Sequence, residues 1–149
     1  MNSSTSVAIK YGLFTAVALI AFFLALKLIG LHNNPWFRLF NGVAMAYGIY
    51  AAIKHYKSNS DAFSYTNGFK VGLLTGFLAT FVFTAFMAVY MFHLDVEFMN
   101  HLLKNWFNDF NHGGGILIFI LLIEGLASTT VLTLACMQLF KNSRNITQN

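Results

Sequence analysis

The chain has 149 residues, of which 57% are hydrophobic and 9% charged, with 17 phenylalanines and a formal net charge of +4. A soluble domain carries roughly 25% charged residues, so this chain lacks the polar surface to cover a water-soluble globule of its size. Its single cysteine, Cys136, excludes an intrachain disulfide, and its basic residues are scattered, which argues against nucleic acid as a partner.

Four apolar runs follow one another. The first is Val7–Leu31, broken only by Lys10 and Lys27. It reads as an uncleaved span, because no A-x-A cleavage site follows it. The second is Trp36–Ile53, with Asn34-Pro35 as an N-cap and first-turn proline ahead of it. The third is Phe69–Phe92, preceded by Asn67-Gly68, which reads as a turn. The fourth is Gly115–Phe140, entered through the flexible Gly113-Gly114-Gly115 junction. Each approaches or exceeds the roughly 20 residues that cross a bilayer core as a helix. Only a helix satisfies so long a run of backbone in lipid. The expectation is an all-α integral membrane protein. It forms one domain over 1–149, with four transmembrane helices at about 7–31, 35–54, 68–93 and 114–140.

Between the third and fourth runs, Val96, Met99, Leu103, Trp106 and Phe110 recur every three or four residues, with polar residues between them. This pattern predicts an amphipathic surface helix over about 95–110. Within the third run, Gly68, Gly72, Gly76, Thr80, Thr84 and Ala88 repeat at every fourth position. They form one stripe of small residues that lets another backbone approach closely. That stripe could pack within the bundle, or it could receive a second copy or a partner subunit.

With four spans, both termini share a side. Lys10, Lys54, Lys57, Lys70, Lys141 and Arg144 fall there, against Lys27, Arg38 and Lys104 on the other. Basic residues favour the cytoplasmic side, so both termini are expected in the cytoplasm.

Glu124 interrupts the fourth run. A carboxylate in hydrocarbon is costly, so it is neutralised, paired or functional. By helix rise, Lys27 and Glu124 differ in depth by about 6–8 Å, with stems leaning toward each other. An ion pair between them is therefore allowed if the first and fourth spans are neighbours. Three other readings stand beside it. Lys27 could snorkel to the headgroups. Glu124 could be protonated and bonded to hydroxyls such as Ser128, Thr15 or a tyrosine of the second span. It could also line a polar cavity that carries a proton or binds a solute. His32, His93, His101 and His112 gather toward the outer side, but no ligand spacing organises them into a metal or haem site. No phosphate loop, nucleophile elbow or dinucleotide fingerprint is present.

The stretch GIYAAIKHYKSNSDAFSYTNGFKVGLLTG (Gly48–Gly76) and the opening KYGLF (Lys10–Phe14) carry a resemblance. Its most specific parts are Ile53-Lys54 with Tyr56-Lys57, and Gly68-Phe69-Lys70-Val71-Gly72. With these, the chain resembles a family of small four-helix inner-membrane proteins of Bacteroidota that carry a domain of unknown function. The resemblance implies four membrane helices in a bacterial cytoplasmic membrane and no known reaction. It also implies an association with membrane glycosyltransferases. The expected function is therefore that of a non-catalytic accessory or assembly subunit without cofactor, partnered by another membrane protein or by a second copy. The alternatives are a small proton-coupled transporter using Glu124, and a membrane enzyme or cofactor-binding subunit.

Overall fold

The structure is a computed structural model that describes residues 3–32, 35–60, 63–107 and 113–140. Five α-helices appear among the described residues: α1 (Ser4–Leu28), α2 (Arg38–Ser58), α3 (Tyr65–Val89), α4 (Val96–Phe107) and α5 (Gly115–Leu139). A 3₁₀ turn, Pro35–Phe37, leads into α2, and a π-helical turn, Tyr90–Leu94, continues α3. α1, the joint helix Tyr65–Leu94 and α5 are each long and apolar enough to cross a membrane. α2 is not among these three. It has 21 residues and carries Asn41, Lys54, His55 and Lys57 among its apolar ones.

The helix ends show why the boundaries shift from those expected. Ser3 caps α1 by accepting a hydrogen bond from the Ser6 N–H at 3.2 Å. Ser64 does the same for α3 through the Asn67 N–H at 3.2 Å. Asn67-Gly68 therefore lies inside the first turn of α3 and is not a turn before it. Pro35 opens the 3₁₀ turn, and α2 begins three residues later. Gly30, just past α1, takes φ 73°, a left-handed value that suits a chain leaving a helix.

α1 to α3 and α5 form an antiparallel up-down-up-down bundle. Thr15 of α1 meets Gly48 of α2, and Gly12 meets Thr75 and Leu78 of α3. α2 and α3 each touch α1, α5 and one another. α1 and α5 therefore sit on opposite sides of the α2–α3 pair, a skewed square with α2 and α3 on its short diagonal.

Buried threonines share the interior with Leu19, Ile49, Ile53 and Met137, while many other large apolar side chains face outward. Thr15, Thr75, Thr80, Thr84, Thr129 and Thr133 are buried, whereas Phe14, Val17, Phe81, Phe119 and Val131 are exposed. Lipid rewards this arrangement. It solvates apolar surface as well as a protein core does, so helices associate through close packing instead.

The glycine stripe shows how this works. Gly68 faces Met137 of α5, Gly72 faces Thr133, Gly76 faces Thr129, and Thr80 faces Gly125. The four-residue spacing on α3 matches an equal spacing on α5. A Cβ added at Gly72 would lie 2.6 Å from Thr133 Cγ2, and one at Gly125 would lie 2.5 Å from Thr80 Cγ2. The stripe is thus filled by the protein's own fifth helix and presents no free face to a partner along Gly68–Thr80.

Candidate functional site: a polar cleft at Glu124

Glu124 lies nine residues after the start of α5, about 14 Å along a helix of about 38 Å. It is exposed at the side of the bundle, near mid-helix. There it lines a cleft of about 220 Å³ between α2 and α5, floored by α3. Asn41 lines the α2 side, Thr80 and Thr84 the floor, and Glu124 and Ser128 the α5 side. Leu19, Leu39, Met45, Phe83 and Leu121 supply apolar wall.

The cleft follows from how the helices diverge. α2 and α5 touch at one end, where the Cys136 thiol donates to the Ala46 carbonyl at 3.8 Å. Tyr50 stacks on Phe140 at the same end, with ring centroids 5.3 Å apart. Toward the start of α2 the pair separates, and Gly42 leaves open space where a side chain would otherwise fill it. The polar side chains of the floor and walls carry mostly oxygen atoms. The Thr80 and Thr129 hydroxyls lie 3.5 Å apart. Asn41 Oδ1 is buried and finds no hydrogen-bond partner among the described residues. A buried acceptor left without a donor is costly, and such groups ask for a bound molecule or water.

Lys27 does not join this cleft. Its ammonium lies 3.2 Å from Asp95 Oδ2 and 4.5 Å from the centroid of the Tyr90 ring. The expected Lys27–Glu124 pair required α1 and α5 to be neighbours, and the α2–α3 pair separates them. Height separates them too. Glu124 sits at the level of Thr80, which faces Gly125, and Tyr90 lies ten residues, about 15 Å, further along the same helix.

Lys27 instead belongs to a second cluster, which the sequence reading missed. Asp95 Oδ1 accepts the Phe98 N–H at 2.9 Å, and Asp95 Oδ2 accepts the Tyr90 hydroxyl at 2.8 Å. Asp95 is thereby the N-cap of α4. The Phe98 amide, then the Tyr90 hydroxyl and the Lys27 ammonium, hold its carboxyl below the ordinary range, against the opposing effect of burial. Around it Phe23 packs edge-on to Tyr90 with centroids 5.0 Å apart, and His32 lies 5.1 Å from Phe98. The signal was present in the sequence as Asp95 three residues before Phe98 at the head of an amphipathic pattern, an N-cap spacing.

The described part of the expected surface helix, Val96–Phe107, lies against the bundle. Phe98 and Leu103 are buried, Met99 is half-buried beside Gly114, and Val96 is exposed. The Trp106 side chain, Phe110 and His112 lie outside the described part of the chain. Of the other histidines, His93 and His101 are exposed, and His101 contacts Asn105 at 3.3 Å. Among the described residues no three His, Cys, Asp or Glu side chains converge as metal ligands.

Comparison with curated proteins and with solved structures returns no match. One family's sequence profile does match, over residues 10–117, from the second turn of α1 to the start of α5. Asn41, Thr80 and Thr84 fall within the matched segment, and Glu124 and Ser128 fall beyond it. On that match, which covers most of the chain, the protein belongs to the family described as protein of unknown function (DUF4199).

Proposed function

We propose that the protein is a small transport-type membrane protein whose working element is the Glu124 cleft, where a solute or a proton is bound. In this reading α2 is the fourth span, at about 32 Å by helix rise. The protein sits in a bacterial cytoplasmic membrane with both termini inside. Lys54, Lys57 and Lys70 at the α2–α3 end support that orientation.

The observation that carries the proposal is the company Glu124 keeps. A carboxylate near the middle of a membrane helix opens on a cleft of about 220 Å³ with an amide and three hydroxyl side chains. Intramembrane ionisable residues that face a cavity mark substrate and proton pathways. The competing reading, an assembly subunit for a membrane glycosyltransferase or a second copy, draws less support. The stripe Gly68–Thr80 is occupied by α5, and the apolar face of α4 rests on the protein's own bundle.

A hydrophobic carbodiimide, which reacts with carboxyls reached from the membrane, tests the proposal. Labelling is expected at Glu124 in native membranes and should be lost in Glu124→Gln. Absence of labelling at Glu124, together with a stable co-purifying partner in mild detergent, would replace the transport reading with the assembly one.

A further inference from the structure

We propose that Lys54 and Lys57, at the end of α2 beside α5, hold the headgroup of an anionic phospholipid, with an acyl chain lying along the outer face of α2. The inference takes from the reading above only that α2 crosses the membrane, and it is independent of the Glu124 cleft. It begins with where the two ammonium groups go. The Lys54 ammonium lies 5.8 Å from the centroid of the Tyr50 ring, and the Lys57 ammonium lies 5.5 Å from that of Phe63 and 5.6 Å from that of Phe140. Tyr50 and Phe140 are themselves stacked, so both lysines rest on one aromatic platform that joins α2 to α5. Other groups cap this end of α2. The Ser58 hydroxyl donates to the Lys54 carbonyl at 3.0 Å, and the Asn59 side-chain amide donates to the His55 carbonyl at 2.8 Å, which satisfies carbonyls that a helix end leaves open. Lys54 and Lys57 are three residues apart, a spacing at which like charges on a helix repel. Lys10 and Lys70 add charge at the same end, where Val7, Ala52 and Val71 pack together. Asp61, the one acid before Asp95 in the sequence, lies outside the described residues, and against four lysines it leaves a positive excess whatever it meets. An anion that bridges Lys54 and Lys57 relieves their repulsion through charge-assisted hydrogen bonds.

What lies below the lysines makes that anion a lipid. Val43, Tyr47, Tyr50, Lys54 and Lys57 recur at alternating spacings of four and three, so they share one stripe of α2. Val43 and Tyr47 are 64% and 70% exposed, and Tyr50 is half-buried. The stripe therefore runs from apolar surface through aromatic rings to two cations. By helix rise Val43 lies about 16 Å below Lys54, close to half of a hydrocarbon core of about 30 Å. An acyl chain and its phosphate are ordered the same way over the same length. A soluble phosphate or an acidic peptide would match the lysines and leave the lower stripe unused. Basic pockets between membrane helices at headgroup level take anionic lipids in this manner. Because the rings already hold both ammonium groups, little side-chain freedom remains to be lost on binding.

Native mass spectrometry of the detergent-purified full chain tests this with three probes: dioctanoyl phosphatidylglycerol, dioctanoyl phosphatidylcholine and free glycerol phosphate. Each lysine at a membrane surface is worth roughly a fivefold factor toward an anionic lipid, so phosphatidylglycerol is expected to bind at least about tenfold more tightly than phosphatidylcholine. Glycerol phosphate, which lacks the acyl chains, should not bind. Lys54→Gln combined with Lys57→Gln should bring the two lipids to within about twofold of each other. Lys10→Gln combined with Lys70→Gln removes the same charge from the same end and should leave the preference in place. Thermal unfolding confirms that both double variants are folded. If the two double variants lose the preference equally, diffuse charge attracts the lipid and the site is overturned. Absence of any preference in wild type overturns it as well. If glycerol phosphate binds as tightly as the lipid, the occupant is a soluble phosphate and the lipid assignment is overturned. Carbodiimide labelling of Glu124 reads the cleft separately from all of these outcomes.

Discussion

Lys27 Nζ and Asp95 Oδ2 lie 3.2 Å apart, tying α1 to the residue that ends the α3 segment and begins α4. The same carboxylate accepts the Phe98 N–H and the Tyr90 hydroxyl, so one side chain fixes three elements. Asp95→Ala removes the cap as well as the pair. We expect it to destabilise α4 by about 1 kcal/mol, the usual worth of an N-cap, whereas Lys27→Ala leaves the cap and has the smaller effect. Amide hydrogen exchange across 96–105 reads the difference. Equal protection loss in the two variants would show that the ion pair, and not the cap, holds α4.

Acidification should act through the same residue. The folded Asp95 carboxyl titrates below its unfolded value, and the ordinary value for aspartate is about 3.9. A lowered carboxyl contributes stability that is complete above the unfolded pKa and disappears as pH falls through the folded one. Protection of α4 should therefore hold from neutral pH down to about pH 4 and fall below it. Asp95→Asn should show no such step. A step of the same size in Asp95→Asn would show that a group other than Asp95 controls it.

Glycine substitutions separate contact from propensity. Gly72→Val and Gly76→Leu force side chains into Thr133 and Thr129, and overpacking of this kind costs about 1–3 kcal/mol. Gly42→Ala meets nothing within 4 Å and should be neutral or slightly stabilising. Unfolding in mixed micelles with rising fractions of dodecyl sulfate checks the order. A neutral Gly76→Leu would mean that α5 does not pack on this stripe.

Engineered cysteine pairs in a Cys136→Ala background test the helix order. Thr80→Cys with Gly125→Cys should cross-link, because a Cβ at Gly125 would lie 3.3 Å from Thr80 Cβ, close to the spacing of about 3.8 Å in a disulfide. Lys27→Cys with Glu124→Cys should not, because α2 and α3 lie between their helices. Efficient cross-linking of the second pair would contradict the bundle described here.

The sequence made the three most apolar helices legible, because long unbroken runs leave the backbone no other choice in lipid. It also made the four-residue stripe on α3 legible, but not what fills it. The answer was in the same sequence, since Gly125, Thr129, Thr133 and Met137 repeat at the matching spacing on α5. Asn67-Gly68 misled as a turn because Ser64 supplies a cap three residues earlier, and a cap outweighs one glycine. The choice between Asp95 and Glu124 as partner of Lys27 was not legible. Helix rise gives depth along each span, but the order of spans around the bundle is set by which stripes interlock. Asn41 went unnoticed for a similar reason. Its place beside Glu124 depends on α2 and α5 diverging, which no local pattern encodes.

Whether Glu124 carries protons is read from proton flux into proteoliposomes under an imposed membrane potential, with wild type, Glu124→Gln and Lys27→Ala compared at equal reconstitution. Wild type should show flux above empty liposomes, Glu124→Gln should lose most of it, and Lys27→Ala, whose side chain belongs to the other cluster, should stay near wild type. Flux that is unchanged in Glu124→Gln, or no flux above empty liposomes, would rule the transport reading out.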